Sequence, residues 1–405
     1  MKIKNNYHAL TATDDVLKII RKCFAEEEKG NKEARTETKN LLKEYFIETA
    51  DGSYTLNSNN VNEKSETMHT HHGAITESME KFVRPAKLMG KKEVKILDIC
   101  SGLGYNAASC IDFLGGGVDI EIDMIEISRE TLASSLFIEN PLESYSIIKS
   151  AVENKLYDDG NLGFKFNKLE IPDRIRINIY LSDARCVIKE MDKKYDAVFL
   201  DPFSPLKSPE LYTLEFFLIL KNILKDDGII LTYTSASPVR SAMIHAGLHV
   251  GEGPLFGRKS GGTVASKSPE IIENSLSDND ERMVALSDAG VPFRDPELSA
   301  SSEEIIKRRD NERKSVRGTE KFASTVKTPV YLGKDVDDPR LERRLLRNVN
   351  ALGITGLKSK ESYYIICPQF DECTCGCNDS KLDNSFSRVN EMRKRLDSVI
   401  KENKI

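Results

Sequence analysis

Hydrophobic and polar positions repeat with one period near the start of this 405-residue chain and with another through its middle. Val16, Leu17, Ile20, Cys23 and Phe24 recur every three or four positions behind Thr13-Asp14, which predicts an N-capped amphipathic helix. After the charged run EEEKGNKEARTETKN, residues 41–46 open a second apolar stripe. FIETADGSYTLNS then alternates about Asp51-Gly52, the pair expected of a hairpin turn. From Val94 the apolar runs shorten: VKILDI, VDIEIDMIEIS, RIRINIYLSD, DAVFLD, GIILTYTS and GGTVAS read as strands, with helical patterns between them. That alternation predicts βαβ units and an α/β fold with a Rossmann-like, doubly wound, mainly parallel sheet over residues 65–266. Residues 1–64 are expected to form a helical and hairpin extension, and residues 267–405 a polar one. Residues 143–168 show no clear period and read as an insertion.

Composition narrows the class. No apolar stretch approaches the roughly 20 residues a membrane span needs, and 30% of residues are charged, so no membrane partner is expected. The opening MKIKNN lacks the apolar core of a signal peptide, which predicts a cytoplasmic location. A net charge of −5 excludes a uniformly basic nucleic-acid binder and gives no reason to expect DNA. It leaves room for a local basic face: between residues 301 and 350 thirteen Lys or Arg stand against nine Asp or Glu. That run is either a solvated helix face or a contact for an RNA backbone. Nothing in the pattern fixes an oligomeric state.

The candidate chemistry lies at the strand ends, where open parallel sheets bind ligands. Asp98 ends the first strand in ILDICSGLGYNA, and Gly102 and Gly104 form the turn after it. Ala107 stands where the dinucleotide fingerprint would need its third glycine. Glu126 ends the second strand, where a carboxylate can accept from ribose hydroxyls. Asp183, in YLSDAR, ends the third and can accept from an adenine amine. Asp201 ends the fourth and is followed by Pro202 and Pro205, which stiffen the loop. In this order the residues describe an adenosyl pocket. S-adenosyl-L-methionine suits it, because no phosphate-cradling glycine-rich loop is present.

The segments DAVFLDPFSPLKSPELYTLEFF, TYTSASPVRSAMIHAGL and FGRKSGGTV carry a resemblance. They are similar to the methyltransferase domain of MnmC, the bacterial tRNA wobble-uridine modifying enzyme, and to its stand-alone relatives. The similarity is most specific in the Asp201-x-Phe203-x-Pro205 block and in Phe256-Gly257-Arg258-Lys259. The resemblance implies a class I methyltransferase fold and transfer from S-adenosyl-L-methionine to the aminomethyl nitrogen of a modified uridine, with tRNA as partner. Position by position, it implies that Asp98, Gly102, Gly104, Glu126 and Asp183 contact the cofactor and Asp201 the reacting amine. It also implies that Glu77, in GAITESMEKF, approaches the cofactor's methionine part.

Several assignments stay open at the level of sequence. Asp201 either orients and deprotonates an acceptor amine or is a turn acid. Phe203 and Tyr212 either stack on a base or pack in the core. Arg240, Arg258 and Lys259 either meet RNA phosphate or form ion pairs. Cys367, Cys373, Cys375 and Cys377 crowd into eleven residues, as ligands for zinc or an iron–sulfur cluster or as thiols with a solvent-facing or redox role. Against the tRNA methyltransferase stand two alternatives: a methyl or aminopropyl transferase for a small amine, and a non-catalytic adenosyl- or RNA-binding protein.

Overall fold

The computed structural model describes residues 11–58, 70–139, 141–257 and 261–402. The chain divides into two compact units. One comprises Met1–Ser208, Asn222–Tyr233 and Gly253–Gly262, and the other Pro209–Lys221, Thr234–Glu252 and Thr263–Ile405. No helix among the described residues is long and apolar enough to cross a membrane.

The first unit begins with the helix Asp14–Glu28, which buries Val16, Leu17, Ile20, Cys23 and Phe24 as its spacing predicts. The second helix is Ala34–Leu42, ending where the apolar stripe was expected to open. This helix takes up the end of the charged run, and its Arg35 is pulled inward, pairing with buried Glu27 (2.6 Å) and with Glu153. Strands β1 (Ile47–Glu48) and β2 (Tyr54–Thr55) close the hairpin about Asp51-Gly52.

Five parallel strands follow: β3 (Glu93–Ile99), β4 (Asp119–Glu126), β5 (Ile175–Leu181), β6 (Tyr195–Leu200) and β7 (Leu224–Thr232). Their spatial order is β5-β4-β3-β6-β7, so the chain winds outward from β3 in one direction and resumes on its other side with β6. Every residue of β6 is buried, which is why DAVFL reads as a continuous apolar run. The switch point between β3 and β6 is where a sheet of this kind opens a crevice for ligand.

Residues 143–168 are not an unstructured insertion. They contain the helix Tyr145–Asp158, whose Ile148 fills the space beside Gly104: a Cβ on Gly104 would fall 2.7 Å from Ile148 Cγ2. Tyr145 Oη donates to the Leu103 carbonyl (2.8 Å), so this helix also braces the glycine turn.

In the second unit, β8 (His249–Glu252) pairs antiparallel with β9 (Thr263–Ser266). The alternation does not reveal β8, because Gly251 interrupts it. A side chain there would meet the Asn274 carbonyl. The basic run is only in part a solvated face: Lys307, Arg308 and Lys314 of the helix Ser302–Val316 are exposed, whereas other arginines turn inward. Arg309 turns inward to the carbonyls of Val291 (2.7 Å) and Ala289 (2.9 Å). Arg313 and Arg317 converge on the buried Asp288 carboxylate, at 3.3 and 2.6 Å. Exposed positive charge continues at the end of the same run, on the helix Pro339–Asn350, where Arg340, Arg343, Arg344 and Arg347 share one face at helical spacing.

Candidate active site

Strand register brings the acids together. Asp98 is opposite Met124 of β4 and Phe199 of β6, and Ile99 is opposite Leu200. Asp201 therefore follows β6 directly beside the end of β3, its N–H donating to the Ile99 carbonyl (3.2 Å). Between the two carboxyls stands Asn106, in the first turn of the helix Tyr105–Leu114. Its Nδ2 donates to Asp98 Oδ1 (3.2 Å) and reaches Asp201 Oδ2 at 3.5 Å.

Both acids are held against their preference for charge. Asp98 is wholly buried, and burial pushes its carboxyl up to about 7. The Asn106 amide works the other way and the Glu126 charge adds to the rise. Asp98 Oδ2 has no hydrogen-bond partner among the described residues, an acceptor in the interior awaiting a donor. Asp201 keeps some exposure, yet burial raises it to about 8. Lys81 opposes that rise, and the charges of Glu77 and Asp98 reinforce it.

The glycine turn has the form a ligand needs. Gly102 and Gly104 both lie at positive φ, 52° and 83°, a region that disfavours side chains. The Gly102 N–H donates to Glu126 Oε2 (3.0 Å), and the Ser128 N–H donates to Glu126 Oε1 (2.9 Å). Glu126 is thus fixed at the end of β4 by backbone amides. Burial holds its pKa above the ordinary carboxylate value, against the amide donors of Ser128, Gly102 and Ile127.

Glu77 is positioned by the hairpin. Asp51 accepts from the Thr76 N–H and hydroxyl, both at 2.8 Å, and so caps the helix Ala74–Ser78. Gly73 must be glycine there, since its φ is 116° and a Cβ would overlap the Asp51 carboxylate. Glu77 accepts from the Thr70 N–H (2.8 Å) and hydroxyl and pairs with Lys81 (2.7 Å). Lys81 and Asn106 are the residues that sequence reasoning missed. The four-residue spacing from Glu77 to Lys81 is a visible signal for the first. For Asn106 only its place just after the glycine turn points to it.

The other expected site residues meet varied surroundings, Asp183 standing just past Leu181, the register partner of Glu126. Asp183 caps the short helix Ala184–Val187, and its carboxylate is taken up by buried Arg185, with Nη2 at 2.8 Å and the backbone N–H at 2.9 Å. Phe203 is half-buried in the loop after Asp201. Tyr212 is completely buried in the second unit, so its ring packs in the core and offers no face to a base. Arg240 is likewise corrected from a phosphate contact to an interior ion pair: it is buried against Glu252 (3.0 Å) and Asp280 (3.1 Å). Arg258 and Lys259 lie outside the described residues. The four clustered cysteines gather in the second unit.

The residues present fit an adenosyl cofactor: an orphaned buried acceptor on Asp98, a turn without side chains at Gly102 and Gly104, and a pinned carboxylate at Glu126. Comparison with known proteins agrees. Residues 149–268 match a family described as S-adenosyl-L-methionine-dependent methyltransferase. An uncharacterized protein of Methanocaldococcus jannaschii is 37% identical over 306 residues, covering 74% of this chain and 82% of that protein. The tRNA 5-methylaminomethyl-2-thiouridine biosynthesis bifunctional protein MnmC of Leptospira interrogans is 28% identical over 156 residues. That match covers 38% of this chain and 23% of the MnmC protein, less than a quarter of its length. The solved structure of MNMC2 from Aquifex aeolicus is 30% identical, covering 67% of this chain and 85% of its own, with a TM-score of 0.54. The chain belongs to the family of S-adenosyl-L-methionine-dependent methyltransferases that includes MNMC2 of Aquifex aeolicus.

Proposed function

We propose that this methyltransferase acts on the aminomethyl nitrogen of a modified wobble uridine in tRNA. The observation that carries the reading is the Asp98–Asn106–Asp201 array at the switch point, an acid of raised pKa beside a pocket fitted for an adenosyl group. Relatedness to MNMC2 and partial similarity to a tRNA-modifying protein support the substrate class. The four exposed arginines of the helix Pro339–Asn350 favour a polyanion over a small amine.

In this reading Glu126 accepts from the ribose hydroxyls, Gly102 and Gly104 let the backbone approach, and Asp98 Oδ2 takes a donor of the cofactor. Glu77, steadied by Lys81 and Thr70, faces the methionine part. Asp183 is left out, because Arg185 already occupies its carboxylate. When bound, S-adenosyl-L-methionine supplies a methyl group on positively charged sulfur, which a neutral amine can accept. Asp201 produces that neutral amine. Its carboxylate accepts an amine N–H, fixes the direction of the nitrogen lone pair, and takes the proton. A carboxyl raised to about 8 is a far stronger base than an ordinary aspartate. Asn106 holds Asp201 in place and keeps Asp98 apart from it.

Incubation with tritium-labelled S-adenosyl-L-methionine tests the assignment, using tRNA from cells lacking the final wobble methylation and, separately, a polyamine mixture. Label in the tRNA wobble nucleoside is expected. Label in the polyamines alone would replace the substrate assignment, and label in neither would contradict it.

A further inference from the structure

Outside the methyltransferase pocket, the second unit holds four free thiols within one short segment, Cys367, Cys373, Cys375 and Cys377. On an extended chain, alternate residues point to opposite sides, so Cys373, Cys375 and Cys377 could not share a ligand. The segment is not extended. Gly376 and Asn378 both take left-handed backbone, φ 87° and 60°, and the turn aims the three sulfurs inward. Cys367, directly after the helix Lys360–Ile366, supplies the fourth.

The separations are specific. Cys375 and Cys377 Sγ are 3.2 Å apart, Cys373 lies 3.6 Å from each, and Cys367 is 3.7 Å from Cys377. All four sulfurs lie within 4.8 Å of one another. Thiolates about 2.3 Å from one zinc ion occupy a tetrahedron with edges of about 3.8 Å. A multi-iron cluster spreads its thiolates over separate irons and sets them further apart.

The surroundings suit thiolates rather than thiols. The Asn378 N–H donates to Cys373 Sγ (3.3 Å), and Arg395 Nη1 donates to Cys377 Sγ (3.6 Å). Arg395 is buried although it carries a full charge, and it also pairs with Asp379 (2.6 Å) and Glu391 (2.9 Å) and donates to the Tyr364 carbonyl (3.0 Å). Donors of this kind orient and stabilise metal-bound sulfur.

We propose that Cys367, Cys373, Cys375 and Cys377 bind one zinc ion in a closed, structural tetrathiolate site. On binding, each thiol releases its proton to solvent, four per zinc, and the resulting charge of −2 is partly offset by Arg395. With four protein ligands no position remains for water, so the ion takes no part in catalysis. Its work is to fasten the end of the helix Lys360–Ile366, through Arg395, to the helix Ser385–Glu402.

The test is metal content of the full chain, purified without chelator, by plasma mass spectrometry alongside thiol titration. About one zinc per chain is expected. After chelation under reducing conditions, added cobalt(II) should give the intense thiolate charge-transfer band of a tetrahedral sulfur site. The double substitution Cys373→Ser with Cys375→Ser should lose the zinc, and Cys186→Ser should keep it. If the double variant does not fold, stoichiometry and the cobalt spectrum of the unaltered chain decide. Four freely reactive thiols without metal, a disulfide within the cluster, or iron in place of zinc would each overturn the assignment.

Discussion

Asn106 Nδ2 stands 3.2 Å from Asp98 Oδ1 and 3.5 Å from Asp201 Oδ2, so one side-chain amide separates the acids that end two neighbouring strands. Its donation to both carboxyls favours their charged forms. Asn106→Ala removes that support while the two acids stay in place. The pH midpoint of methyl transfer should then move upward and the rate at neutral pH should fall about 10²-fold. A pH–rate profile measures both. A lowered rate with an unmoved midpoint would make Asn106 a packing residue only.

Asp98 should make the ligand-free protein weaker at alkaline pH. Its folded pKa of about 7 lies above the unfolded value of about 3.9. The native state therefore binds the proton more tightly. The stability this gives is complete below the unfolded pKa and is lost as pH rises through about 7. Asp98→Asn should flatten that loss, adding about 1 to 3 kcal/mol near pH 8 while weakening the cofactor. Calorimetric unfolding at pH 5.5 and pH 8.5 compares the two proteins, and parallel pH dependence would contradict the assignment.

Glu126 is held at the end of β4 by the Gly102 and Ser128 amides. Replacing it by alanine should weaken S-adenosyl-L-methionine binding by about 1.5 to 3 kcal/mol, the worth of charge-assisted bonds. Titration calorimetry on the folded variant reads this directly. Equal affinity would remove Glu126 from the pocket.

The basic surface yields a salt-dependence prediction. Arg340, Arg344 and Arg347 are exposed on one helix face, whereas Arg309 serves the interior. Replacing Arg340, Arg344 and Arg347 by alanine should lower tRNA affinity and reduce the salt slope by about 2 to 3, one increment per phosphate contact. An unchanged slope would assign that face to solvent.

The strands and their terminal acids were legible in the sequence for a physical reason. A parallel strand is buried on both sides, so it reads as an apolar run, and a carboxylate placed at its end stands out. Asp98, Glu126 and Asp201 were visible in this way. The helix Tyr145–Asp158 was not, because it buries Ser150 and Glu153 as well as Ile148 and Val152, and so shows no single stripe. Glu153 belongs inside only because Arg35 pairs with it and the Phe166 and Asn167 amides donate to it. Arg240 and Arg309 misled in the same manner. An arginine that meets distant acids or carbonyls in the interior looks, in sequence, like one that meets solvent. Asn106 and the turn at Gly376 depend on three-dimensional proximity, which spacing alone does not encode.

In the proposed mechanism Asp201 takes the proton of the acceptor amine. This step is tested most directly by single-turnover methyl transfer to tRNA lacking the final wobble methylation, comparing the unaltered chain with Asp201→Asn at equal cofactor saturation. Asparagine preserves the shape of the site and cannot accept the proton. The expected result is a rate lower by about 10² to 10⁴, nearly unchanged cofactor affinity, and partial recovery as pH rises and the amine loses its proton unaided. Full activity of Asp201→Asn at neutral pH would contradict it.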